Sequence, residues 1–209
     1  MNIKTISRSS ILNAKVLMAA EKHLQSKDAT LCRVIKAHGP CTLCQDSVGL
    51  FEKLVGSIIG QQLSVKAAKT IRARVQLLVG QFCPDSFLNA PIDELRKAGL
   101  SRAKIRYVTT LSEMVKSRDI ILENLGNLPP EEAIKVLSAV PGVGRWTAEM
   151  FLLFALKHAD ILALNDVGLQ RAVKKLYGEE TTLEKLGKIW KPYNSVASWY
   201  LWKYLDSTP

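Results

Sequence analysis

Apolar residues along the chain return every third or fourth position and almost never every second, a spacing that predicts helices and not strands. Residues 11–24 read as an amphipathic helix, and 51–59 as a short apolar one ending near Gly60. Ser64 has the side chain to cap a helix over 65–79, and Gly80 terminates it. Pro91-Ile92-Asp93-Glu94-Leu95 opens a further short helix, with proline and acids in the first turn, where they suit the unpaired N–H groups. A basic helix follows over 101–116, and Pro129-Pro130-Glu131-Glu132 starts another that runs to Val140. Residues 146–156 are apolar enough for a central, buried helix, and 167–205 divides at Gly178 and Pro192 into three more. Only 161–164 leaves room for a strand. The pattern predicts an all-α fold of about ten short helices. A chain of 209 residues suits one such domain, or two small helical lobes sharing a crevice.

One segment carries more than packing: Leu137-Ser138-Ala139-Val140-Pro141-Gly142-Val143-Gly144-Arg145-Trp146-Thr147-Ala148. A helix ends at Val140, Pro141 blocks its continuation, and Gly142 and Gly144 permit a tight turn at positive φ. The next helix starts at once, so its first N–H groups point outward without intrahelical partners. With the helix dipole they form an anion site of a size suited to one phosphate. A side chain in place of either glycine would hold a phosphate oxygen away from those amides. This helix–hairpin–helix signature contacts nucleic-acid backbone and not sequence. An ordinary corner between two helices also carries glycine, but Pro-Gly-Val-Gly followed by Arg145 is more specific than a corner requires.

Charge agrees with that reading. The 29 Lys and Arg against 19 Asp and Glu give a formal net charge of +10 and a pI near 9.5, and a chain this basic usually meets a polyanion. Ser64, Lys66, Lys69 and Arg72 at the helix 65–79, and Arg102, Lys104 and Arg106 at 101–116, are placed to reach flanking phosphates, although any one of them is equally a solvated charge. Each phosphate neutralised adds about one unit to the salt slope of binding. Hydrophobic residues, 47% of the chain, supply a core, and no run approaches the roughly 20 apolar residues of a membrane span. Residues 1–10 are polar and lack the apolar stretch of a secretory signal, with Lys4 and Arg8 among serines only a weak hint of a transit peptide. An intracellular, reducing compartment is the expectation: cytoplasm and nucleoid in a bacterium, nucleus in a eukaryote. The cysteines Cys32, Cys41, Cys44 and Cys83 are not expected to form disulfides there. Cys41-Thr42-Leu43-Cys44 has metal-ligand spacing, with Cys32 and His38 nearby, but no second CxxC or HxxxH follows, and free, partly buried thiols are the preferred reading.

Downstream lies Leu164-Asn165-Asp166-Val167-Gly168-Leu169, with Asp166 at the start of a helix. It is either a helix N-cap and nothing more, or a carboxylate at the mouth of the crevice, beside the sugar of an extruded nucleotide. The hairpin, the apolar helix after it and a turn bearing this Asp resemble the helix–hairpin–helix-GPD superfamily of DNA glycosylases. Ile59-Gly60-Gln61-Gln62-Leu63-Ser64, in its apolar-then-basic context, looks like the alkylpurine (3-methyladenine DNA glycosylase II-like) branch, and the likeness extends over about 51–202. With no room for a large N-terminal β domain, the chain resembles the short, all-helical members.

The resemblance implies a single glycosylase domain over 1–209 with two helical lobes, the hairpin at 137–148 and a base pocket between the lobes. Asp166 matches the family's catalytic aspartate, and Gln62 falls where the family inserts a wedge into the gap left by a flipped base. Trp146, Met150 and Trp202 match the base pocket, while Trp190 and Trp199 read as core. Gly142, Gly144 and Arg145 hold the DNA backbone. Bifunctional glycosylase/lyases of the superfamily carry a lysine directly after Gly-x-Gly-Arg; here Trp146 stands there, and Lys157 and Lys174 are poor substitutes by position. No Cys follows Cys83, so the four-cysteine iron–sulfur motif of the endonuclease III branch is absent. The implied protein is a monomer acting on double-stranded DNA with alkylated bases, without metal or organic cofactor, save a structural monovalent cation at the hairpin carbonyls. Two alternatives stand beside it: a non-catalytic DNA-binding module, and a glycosylase for oxidised or mismatched bases.

Overall fold

A computed structural model describes residues 11–45 and 48–207; the expectations for residues 1–10 lie outside the described residues. Among these it contains twelve α-helices, a 3₁₀ helix at Leu122–Asn127 and no strand. Residues 161–164 are irregular, and Ile11 and His158 form an isolated bridge pair. The chain divides into two compact units, residues 1–46 with 152–209, and residues 47–151.

The first unit is built on α1 (Ala14–Lys27), α2 (Ala29–His38), α10 (Val167–Tyr177), α11 (Leu183–Trp190) and α12 (Asn194–Ser207). α1 begins later than 11–24 suggests because Asn13 caps it, its side chain accepting from Val16 N at 3.0 Å. Asp28 then serves two helices: its N–H closes α1 on Leu24 O, and its Oδ1 accepts from Leu31 N to open α2. Oδ2 of the same carboxylate takes the Tyr177 hydroxyl at 2.7 Å and the Trp190 indole N–H at 2.8 Å, which fastens α10 and α11 to the α1–α2 junction. Leu24, Leu31, Trp190 and Tyr200 are fully buried in the core of this unit, and Trp199 is buried as well, as the sequence reading of Trp190 and Trp199 expects.

The second unit runs through α3 (Leu50–Gly60), α4 (Val65–Val79), α5 (Pro84–Leu88), α6 (Ile92–Lys97), α7 (Arg102–Lys116), the 3₁₀ helix and α8 (Pro130–Ser138) into α9 (Arg145–Phe154). Ser64 caps α4 through Ala67 N, Gly80 ends it at φ +70°, and Ser101 caps α7 through Lys104 N. α5, α3 and α6 pack on α7, and Leu54, Ile58, Phe87, Leu95, Leu111, Leu122 and Leu137 close the core. α9 is the expected buried helix: residues 147–153 are all buried, while the aromatic residues at its two ends, Trp146 and Phe154, are exposed. α2 and α5 take the helix number past the ten that the pattern suggests.

Candidate DNA interface and active site

The hairpin is built as the sequence requires, with one difference. α8 unwinds through 3₁₀-type bonds, Ala139 N to Val136 O and Val140 N to Leu137 O, and Val143 N then bonds Val140 O to close the turn. Gly142 sits at φ +82°, where L side chains are strained. A Cβ there would also lie 2.2 Å from Cδ2 of Tyr107, so the ring occupies the space a side chain would need. Gly144 is not at positive φ, contrary to expectation. Its Cβ direction is open, and Gly144 O accepts Ala148 N as the first bond of α9. What Gly144 provides is access, since it adds no side chain of its own beside the first amides of α9.

The Gln62 turn is bound to this hairpin. Gln61 Nε2 donates to Gly142 O at 2.8 Å, and Lys104 Nζ donates to Ile59 O at 2.8 Å and Gln61 O at 2.7 Å, capping α3. Between these restraints Gln62 is exposed and held at φ +56°, an uncommon conformation for a residue other than glycine. Backbone strain at an exposed amide side chain fits a residue presented outward, and the same unit brings it together with the hairpin.

Three side chains expected at the DNA backbone, Arg145, Lys104 and Arg72, make contacts within the protein. Arg145 is engaged within its own hairpin: Nη1 and Nη2 grip Glu131 at 2.9 and 2.6 Å, and Nε donates to Glu149 at 2.9 Å. Its hydrogen bonds hold Glu131 below the usual carboxylate range. The guanidinium thus clamps α8 to α9. Lys104 is likewise committed, to carbonyls, and burial lowers its pKa from the ordinary lysine value. Arg72 pairs with Glu52 at 2.6 Å. Lys66 and Lys69 are exposed, with no carboxylate partner among the described residues, and remain available to phosphate. Trp146 is 50% exposed on the first turn of α9, whereas Met150, one turn on, is 9% exposed.

In the other unit Asp166 is the N-cap of α10, its Oδ1 accepting from Leu169 N at 2.8 Å. It also does more than cap. Trp202 Nε1, from α12, donates to the same Oδ1 at 3.2 Å, and Asp166 is only 7% exposed. Phe154 stacks on Trp202 with ring centroids 5.6 Å apart at 29°. Asp166 and Trp202 are therefore in direct contact, a pairing that the sequence reading, which assigns them separate roles, does not anticipate. That reading passed over Phe154, although its spacing from Trp146 and Met150, every fourth residue, puts it on their side of α9. Tyr107 and Gln61, which build the hairpin's floor and strap, were also missed. Tyr107 carries no local signal, and Gln61, although it stands in the 59–64 stretch, gives no sign there of the bond it makes to Gly142.

The cysteines are free, Cys41 buried and the others partly so, and burial pushes the Cys41 thiol up to about 12, leaving it neutral. Among the described residues no group of three His, Cys, Asp or Glu side chains is placed to hold a metal ion, and no helix is long and apolar enough to cross a membrane.

A helical chain with an open-amide hairpin and a buried carboxylate capping a helix of its own has the parts of a DNA-backbone-binding protein with a hydrolytic site. The chain belongs to the HhH-GPD superfamily of base excision DNA repair proteins, whose family model matches residues 55–192. It is 30% identical to the alkylbase DNA glycosidase-like protein mag2 of Schizosaccharomyces pombe over 202 residues, which cover 88% of this chain and 92% of that protein. Among solved structures it is similar to the DNA-3-methyladenine glycosidase of Bacillus halodurans, with a TM-score of 0.80 and 39% identity over 90% of this chain and 89% of that one. The S. pombe 3-methyladenine DNA glycosylase Mag1, solved in complex with abasic DNA, superposes with a TM-score of 0.79 at 30% identity over 90% and 97% of the two chains.

Proposed function

We propose that the protein is a DNA glycosylase that removes alkylated purines of the 3-methyladenine type from double-stranded DNA, and that it does so without lyase activity. The observation that carries the reading is Asp166, a buried carboxylate fixed on one oxygen by two N–H donors from different helices. Cleavage of an N-glycosidic bond builds positive charge on the sugar, as glycoside hydrolysis does. A pre-oriented carboxylate stabilises that charge without reorganising, and can direct the attacking water. An alkylated purine is already cationic and leaves without prior protonation, so one carboxylate suffices.

The remaining assignments follow from what each residue has to offer. Trp146 and Met150 offer indole and thioether surface in their unit, as Trp202 offers an indole in its own, and the cation–π contact of an indole with an electron-poor base contributes roughly 0.5–2 kcal/mol. Gln62 is the wedge, presented by its strained turn. The amides beyond Gly142 and Gly144, with Ser64, Lys66 and Lys69, take phosphates, while Arg145 and Lys104 hold the interface in shape. The absence of lyase chemistry is supported by Trp146 at the position of the family's Schiff-base lysine. Lys157 Nζ is bound to Leu43 O, and Lys174 is paired with Glu179 at 2.8 Å. The hairpin carbonyls of Val140, Gly142 and Gly144 each accept one hydrogen bond and keep a second lone pair, which fits a structural monovalent cation beside them. Action on DNA makes the place of work intracellular.

The test uses duplex DNA treated with a methylating agent, with free purines and strand breaks read separately and borohydride added to trap any imine. Methylated purines released without nicks or trapped adduct are expected. Nicking with a trapped adduct would overturn the monofunctional reading. Duplex binding with no base released would leave a passive DNA-binding module.

A further inference from the structure

Trp202 enters the reading above as a wall for the base. The geometry points to a second role, and we infer that Trp202 is a positioning residue for Asp166, with Gly168 as the gap through which its indole N–H reaches the carboxylate. The inference rests on the reading of Asp166 as the catalytic carboxylate.

Capping alone fixes Asp166 incompletely. The bond from Leu169 N holds Oδ1 at 2.8 Å, but the carboxyl plane can still turn about that contact. The second donor arrives from α12 and meets the same oxygen at 3.2 Å. Two N–H groups from separate helices thus hold that oxygen from two sides. An indole suits this role because its N–H is a donor only and has no rotor of its own, unlike a hydroxyl or an ammonium. The indole is itself held, by Phe154 stacked at 5.6 Å. One face of the ring is thereby covered, and its N–H edge is turned to Asp166.

Gly168 supplies the independent observation. Its backbone is not at positive φ, so the conformation does not call for glycine, and glycine within a helix is weaker than alanine. A Cβ at 168 would lie 3.1 Å from Asp166 Oδ1 and 3.4 Å from both Cδ1 and Nε1 of Trp202, directly against the contact. A ring that served only to stack a base would need neither its N–H nor this gap.

The experiment measures single-turnover base release and its half-saturation on duplexes carrying one 7-methylguanine, a cationic leaving base, or one hypoxanthine, a neutral one. Trp202→Phe keeps a ring on Phe154 and removes the donor; Gly168→Ala disturbs the same contact from the other side and favours the helix, so it stays informative if Trp202→Phe fails to fold. The expected result is a loss of roughly tenfold in the saturating rate on both bases, the range for a hydrogen bond to a charged group, with half-saturation within about twofold. The double variant should be no slower than the slower single one, because both act on one contact. Trp202→Phe that shifts half-saturation or the ratio between the two bases, at an unchanged saturating rate, would make the ring a stacking wall only. Gly168→Ala at the wild-type rate would also overturn the inference. Asp166→Asn separates the two levels: if it is inactive while both other variants run at the wild-type rate, this inference alone fails. If it releases base at the wild-type rate, the parent reading fails and takes this one with it.

Discussion

Gly142→Ala should unfold the hairpin's support before it touches the DNA contact, and its cost can be worked from the structure. The residue sits at φ +82°, and an L side chain held there costs of order 1–2 kcal/mol. The new Cβ would lie 2.2, 2.5 and 2.6 Å from three atoms of the Tyr107 ring, so the ring must move, an overpacking cost of about 1–3 kcal/mol. Displacing the carbonyl also strains the bond from Gln61 Nε2, worth about 1 kcal/mol. The sum, roughly 3–6 kcal/mol, is a large share of the 5–15 kcal/mol typical of a folded domain. Gly144→Ala is the control, since its φ is ordinary and its Cβ direction open. Urea unfolding should show Gly142→Ala destabilised by several kcal/mol and Gly144→Ala within about 1 kcal/mol of wild type, while duplex affinity falls for Gly144→Ala at full stability. Tyr107→Ala should relieve much of the Gly142→Ala cost. A Gly142→Ala midpoint equal to wild type would refute this reasoning.

Other outcomes follow from single contacts. Asp28→Ala removes a helix cap and strands the Tyr177 hydroxyl and Trp190 indole in the core, a loss of roughly 3–6 kcal/mol seen as a Tm lower by about 10 °C or more. Burial lowers the His158 pKa from its ordinary value. The fold therefore keeps the ring neutral while the unfolded chain protonates it. The associated stability is complete above about pH 6.5 and falls with acid by up to about 1.4 kcal/mol per pH unit, and His158→Leu should flatten that slope in urea midpoints between pH 7.5 and pH 5. Lys66→Ala and Lys69→Ala should each lower the salt slope of duplex binding by about one unit. Arg145→Ala should leave that slope in place and cost stability instead, because it strips a partner from buried Glu149.

What the sequence made legible was local. Ser64, Gly80 and Asp166 mark helix ends because a cap is read within three or four residues, and each is found in that role; Ser101, read as the first helical residue, is instead the cap of α7. α2 escaped notice because Asp28 ends one helix and begins the next, with no glycine or proline between them. α5, five residues long, is too short to show a period. In the site, Gly142 and Asp166 are recognisable from their neighbours. The bond that straps Gln61 to Gly142 spans 81 positions and the one from Trp202 to Asp166 spans 36, so neither leaves a mark on the local pattern. Nor does anything in Gly-Val-Gly-Arg announce that Glu131, 14 residues upstream, binds Arg145.

The central claim is that Asp166 does chemistry and is not a helix cap alone, and Asp166→Asn tests it most directly. Asparagine is itself a good N-cap and keeps an oxygen for Leu169 N and Trp202 Nε1, so the fold and its duplex affinity should survive. Single-turnover release of methylated purine from a duplex should then fall by a factor of about a hundred or more, the scale seen when charge stabilisation of a transition state is removed. Release at the wild-type rate from a variant that folds and binds normally would contradict the account.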